Sequence, residues 1–192
     1  SSEKIRYSLI IKSFIIGLLL LVISRFIYSN CSHLFEYELT ESLKSSFDVS
    51  LIPIIISSTF IAPVFEEIFF RQYLFQKLLQ RHGLTLSIVI SSLLFASSHL
   101  PNIYSFITSL FIGLLSATLL LWTKNIIYSI VLHFSWNFMI NLNDILYKVD
   151  LLSFMNLNNI ISILIFTLAL ISLLLLLYNQ IMPNCKAESK VD

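Results

Sequence analysis

The chain has 192 residues, of which 57% are hydrophobic and 12% charged, with a mean hydropathy of +0.86 and a formal net charge of +1. A soluble domain carries about twice that charged fraction, so a globular domain with a dry core is excluded and an all-α, polytopic transmembrane helical bundle is expected. The near-zero charge and the absence of a basic run exclude a nucleic-acid partner and a polybasic anchor to a membrane surface.

A spanning helix takes about 20 mostly apolar residues. Six segments approach that, roughly 8–28, 50–80, 84–99, 103–122, 126–142 and 158–179, in a single membrane domain over residues 1–192. The first follows Lys4 and Arg6 like a signal peptide, but "SRFIYSNCSH" offers no A-x-A-like cleavage site. Tyr28 and Asn30 flank Ser29 where a lipoprotein site at Cys31 wants small residues, so the segment reads as a retained helix. Cys31 and Cys185 lie at opposite ends of the chain and give neither metal spacing nor a disulfide framework.

The second segment contains Pro53 and Pro63 and runs straight into "FEEIFFRQ". Proline removes a backbone donor and bends a helix, so one long kinked helix or two half-helices are expected, ended by Gly83. Pro101 and Asn102 make a tight turn between the third and fourth segments. Polar loops follow the first and fifth segments, at about 30–48 and 143–157. Lys4, Arg6 and Lys12, then Lys77 and Arg81, then Lys124 alternate with acidic flanks at Glu36, Glu38, Glu41 and Asp48 and at Asp144 and Asp150. That alternation predicts both termini on the cytoplasmic side.

Three ionisable groups between apolar runs carry the functional signal. Successive helical residues point about 100° apart and residues four apart share a face. Glu66 and Glu67 are therefore expected to diverge. Glu67 and Arg71, acid first at i,i+4, are expected to pair. Glu66 is left as a carboxylate near the bilayer, a functional candidate and a proton carrier. The plainer reading is that both acids only cap a helix at the water interface, which Lys77 and Arg81 place nearby. Other polar groups in apolar runs are His99, closing "SSLLFASSHL", and His133 with Asn137, which share a face at i,i+4. His82, beside Arg81 and Gly83, reads as solvated. A single membrane histidine is more often an interhelical hydrogen-bond partner than a catalyst. Polar side chains in a bundle face one another or a wet cavity, so Glu66, His99, His133 and Asn137 are expected to converge.

Those residues resemble the CPBP family of intramembrane proteases, also called the CAAX protease and bacteriocin-processing family. Its motifs E-E-x-x-x-R, F-x-x-x-H and H-x-x-x-N stand here as Glu66-Glu67 with Arg71, Phe95 with His99, and His133 with Asn137. The ordered set, over a protease core of about four helices at residues 50–142, carries the resemblance. Gln72 departs from the glycine that often follows the family's arginine. The resemblance implies that Glu66 is a general base, that His99 orients or helps deprotonate a water, and that His133 and Asn137 supply N–H donors to an oxyanion. Glu67 and Arg71 then support the site. Ser97, Ser98 and Ser135 neighbour the motif residues, but membrane helices use serine routinely for packing.

Zinc is the open mechanistic alternative. Glu66, His99 and His133 are ligand types that hold Zn²⁺ with a position left for water, although no H-E-x-x-H helix is present. The non-enzyme alternative is a bacteriocin-immunity or scaffold protein whose polar cluster only joins helices. A transporter is disfavoured by the short chain without paired half-repeats. The expected partners are the bilayer and a peptide or membrane-protein substrate. The expected setting is a prokaryotic plasma membrane. The chain is not itself a CAAX substrate, because Cys185 lies too far from Asp192.

Overall fold

A computed structural model describes residues 5–31, 52–147, 163–173 and 175–176. Six helices make up the described chain: α1 Tyr7–Cys31, α2 Ile52–His82, α3 Leu84–Ser97, α4 Ile103–Thr123, α5 Ile127–Tyr147 and α6 Ile163–Leu173. The loops at 30–48 and 143–157, on which the orientation expectation partly rests, lie mostly outside the described residues, as does Cys185. The expected segments reappear within a few residues at each described end.

Helices α1, α2 and α4 are long and apolar enough to cross a membrane. This is a membrane protein. The other apolar helices, α3 and α6, are shorter in the described residues. A 14-residue helix such as α3 rises only about 21 Å, against about 30 Å of hydrocarbon.

Helix α2 is continuous, not two half-helices. Two π-helical stretches, Ser57–Ile61 and Ile68–Phe75, interrupt its α-helical register on either side of Ala62–Glu67. Gly83 ends it at φ 75°, a conformation open to glycine. Lys124 closes α4 with φ 52° and its N–H on the Leu120 carbonyl, and the Asn125 side chain then accepts from Ile127 N at the start of α5. Asn102 caps α4 by accepting from Ser105 N at 2.8 Å.

The helices approach closely because their contact faces are small. Helix α3 turns Ser87, Ser91 and Ser92 inward against α4, which offers Ser109, Gly113, Ser116 and Ala117. A Cβ on Gly113 would lie 3.1 Å from Ser92 Cα and 3.3 Å from Arg71 Nη2. Helix α1 packs along α5, and a Cβ on Gly17 would overlap Ser135 Oγ and lie 2.8 Å from the Leu132 carbonyl. Because one of those atoms is backbone, Gly17→Ala is expected to push α1 and α5 apart and cost about 1–3 kcal/mol. A lowered unfolding midpoint of the purified chain checks this, and an unchanged midpoint would overturn it. Around these seams Ile16, Leu20, Phe95, Ile112, Leu132 and Trp136 form the main apolar core. Helix α2 lies against α3, α4 and α5, so its polar middle faces the two helices, α3 and α5, that carry or lead into the other motif residues.

Candidate active site

An ionic chain runs through the bundle from Arg71 to Glu66. Arg71 and Glu67 are fully buried, with Arg71 Nε 3.3 Å from Glu67 Oε2. Glu67 Oε1 lies 3.1 Å from His133 Nδ1, and His133 Nε2 lies 3.7 Å from Glu66 Oε2. The two neighbouring carboxylates therefore do not simply diverge. They approach the two nitrogens of one imidazole, Glu67 within hydrogen-bond distance and Glu66 just beyond it. Glu67 is enclosed, whereas the Glu66 side chain is about a third exposed. Glu66 is thus not a lone carboxylate.

The contacts fix a tautomer. Glu67, ionised beside the guanidinium, only accepts hydrogen bonds, so His133 Nδ1 carries the hydrogen and donates it. Nε2 of the same ring then faces Glu66. Arg71 also sits over the Phe95 ring at 4.8 Å. Among the described residues its guanidinium makes no hydrogen bond, so the ion pair and the aromatic face hold it.

His99 is in the turn just beyond α3 rather than inside an apolar helix. The last carbonyls of a helix lack intrahelical donors. The Phe95 carbonyl accepts from Ser98 Oγ at 2.7 Å and lies 3.1 Å from His99 Nδ1. Since a carbonyl only accepts, Nδ1 carries the hydrogen in this contact. This gives the F-x-x-x-H spacing a physical reason, since the phenylalanine supplies the carbonyl that orients the histidine. The Phe95 ring also lies edge-on between the imidazoles, 5.1 Å from His99 and 5.4 Å from His133 by ring centroids.

His99, His133 and Asn137 line one cavity of about 90 Å³, with room for more than one water molecule. Ser105, Thr108 and Ser109 of α4 provide further hydroxyls on its wall. Glu66 does not line this cavity but reaches the His133 ring that does. His133 is the member common to the cavity and the ionic chain. Asn137 is already engaged, donating from Nδ2 to the Ser58 carbonyl at 2.8 Å. That leaves the second hydrogen of its amide uncommitted by this contact.

The sequence reading missed the α4 hydroxyls and Asn141. Asn141 Nδ2 lies 2.8 Å from Thr59 Oγ1 and 3.0 Å from Ser58 Oγ. A signal for it existed, because His133, Asn137 and Asn141 fall at i, i+4 and i+8 on one face of α5. Among the described residues no group of three or more His, Cys, Asp or Glu side chains is arranged to hold a metal ion. The alternative zinc set of Glu66, His99 and His133 is not among such groups, and both nitrogens of His133 are directed at carboxylates.

Residues 48–139 match the family model of the type II CAAX prenyl endopeptidase Rce1-like proteins. The stretch so matched, just under half of the chain, is similar to a family of proteases. The matched stretch holds all three motifs and the whole ionic chain. No curated protein and no solved structure matches the chain.

Proposed function

We propose that the chain hydrolyses peptide bonds of membrane-associated or peptide substrates, using water activated by Glu66 with help from His99. The observation that carries this reading is the chain Glu67–His133–Glu66, which orients one imidazole between a buried carboxylate and a partly exposed one. Glu66 takes a proton as the water oxygen bonds to the scissile carbonyl carbon, giving a tetrahedral oxyanion. His133 Nε2 stands where it relays that proton, and Glu67 stabilises the imidazolium that results. The protonated ring and the second amide N–H of Asn137 then act as donors to the oxyanion, each worth about 3 kcal/mol in a comparable site. As the C–N bond breaks, the relayed proton passes to the leaving amine. His99 orients the water from the same cavity. No side-chain nucleophile is needed.

The proposal extends to placement. Six helices span a prokaryotic plasma membrane with both termini cytoplasmic, and residues 50–142 form the protease core. The family's name makes prenylated C-terminal peptides a substrate class to include.

The test is cleavage of a peptide panel, including C-terminally lipidated peptides, by the purified chain in bilayers. Cleavage that survives removal of metal by a chelator supports the reading. Loss of cleavage on chelation, restored by Zn²⁺, would favour the zinc mechanism. Binding of peptides without cleavage would favour the immunity or scaffold protein.

A further inference from the structure

Pro63 leaves a carbonyl of helix α2 without a backbone donor, and the structure shows what takes its place. In the stretch Ser57–Ile61 the hydrogen bonds run five residues back, as Ala62 N–H to the Ser57 carbonyl shows. The next donor in that register would be residue 63, aimed at the Ser58 carbonyl. Residue 63 is proline and has no N–H. Asn137 Nδ2 supplies the missing hydrogen bond from α5 at 2.8 Å. One turn further along α5, Asn141 Nδ2 reaches the hydroxyl of the same Ser58 at 3.0 Å and that of the next residue, Thr59, at 2.8 Å. Thr59 is buried, so the lower rung is not a solvent contact. Ser58 Oγ donates onward to the Ile55 carbonyl at 3.2 Å, so its lone pairs stay directed at Asn141.

We infer that Asn141 is a positioning residue, which with Asn137 clamps the π-helical segment of α2 to α5 and so sets Glu66 against His133. The clamp lies on the same pair of helices as the Glu66–His133 and Glu67–His133 contacts and one to two turns away from them. Both ends of α2's polar middle are thus tied to one face of α5. A slide of α2 along α5 would have to break the asparagine contacts before it moved Glu66 away from the imidazole. Asn141 touches no reacting atom in this assignment. Its importance for catalysis rests on the proposed protease reading, whereas the clamp itself does not.

The experiment is therefore read in two ways on the full chain. In bilayers, Asn141→Ala is expected to lower kcat about tenfold or more and leave KM within about twofold, because displacement of a reacting group acts on the chemical step. Asn141→Leu keeps most of the volume but has no polar atom to reach the Thr59 and Ser58 hydroxyls, and is expected to behave like Ala. Thr59→Val removes the acceptor, and combined with Asn141→Ala is expected to be no worse than the poorer single variant. An active Leu variant, an effect confined to KM, or additive losses would overturn the positioning role. Independently of activity, unfolding midpoints are compared across two cycles. Asn137→Ala is expected to cost several degrees in the parent but less than half as much with Pro63→Ala, which returns a backbone donor to α2. Asn141→Ala and Thr59→Val are expected to be similarly non-additive. Equal drops in both backgrounds would overturn the clamp. Absence of cleavage by the parent chain would overturn the protease reading and with it the positioning of a general base, while the midpoint cycles would still decide the clamp.

Discussion

Glu66→Gln is expected to leave the protein folded in the membrane and to abolish measurable peptide cleavage, a loss of about 10²- to 10⁴-fold for a positioned general base. Glutamine keeps the size of the side chain and its approach to His133 Nε2, and gives that nitrogen an amide N–H to accept. It removes the only function that shape does not provide, which is uptake of a proton from water. Because the Glu66 side chain is about a third exposed, no buried charge is left without a partner by the change. The matching change at the neighbouring position should behave differently. Glu67→Gln leaves Arg71 buried without an anion, so its first effect is on folding. The pair of variants, compared by membrane yield and by cleavage rate, separates the reacting carboxylate from the supporting one. Normal cleavage by Glu66→Gln would remove Glu66 from the mechanism and return attention to His99 as the base.

The sequence revealed the elements but not the register between them. The apolar runs fixed helices such as 103–122, observed as Ile103–Thr123, because length and hydropathy alone decide whether such a run is helical. Gly83 and Pro101-Asn102 marked their breaks correctly, since those residues act through local backbone geometry. The Glu67–Arg71 contact also followed from local spacing. What spacing missed is the pinch on His133. It assumed α-helical angles, whereas π-helical stretches flank the Glu66–Glu67 turn on both sides. A π turn forms where a neighbour takes up the backbone groups it leaves over, and that neighbour, Asn137 on α5, is 79 positions away from Ser58. His99 was placed in an apolar helix because the run around it is apolar. The helix instead stops at Ser97, where His99 N turns to the Ala96 carbonyl and the Phe95 carbonyl is left within reach of the ring. Asn141 was in view on the shared face but belonged to no motif, and only its partners give it a role.

Arg71→Ala is expected to be the most damaging single change to folding, and the reason separates it from the Glu66 variant. Removing the guanidinium leaves the Glu67 carboxylate fully buried with His133 as its remaining partner. Breaking a buried pair from one side costs about 3–5 kcal/mol, comparable with the whole stability of a marginal protein. It also opens space beside Phe95 and Gly113, which lie against the arginine. Little protein should accumulate in the membrane, and what does should unfold at a lower midpoint. The double variant Glu67→Gln with Arg71→Met removes both charges and keeps most of the volume, so it is expected to recover yield. It should not recover cleavage fully. A glutamine amide holds the His133 Nδ1–H less firmly than a carboxylate and does not stabilise the imidazolium formed during proton relay. Recovery of folding without recovery of rate is thus the signature of a pair that supports the site and also sets the ring's charge state. If Arg71→Ala instead accumulated normally and lost only activity, the arginine would be acting on the reacting atoms and the division of roles within the motif would be wrong.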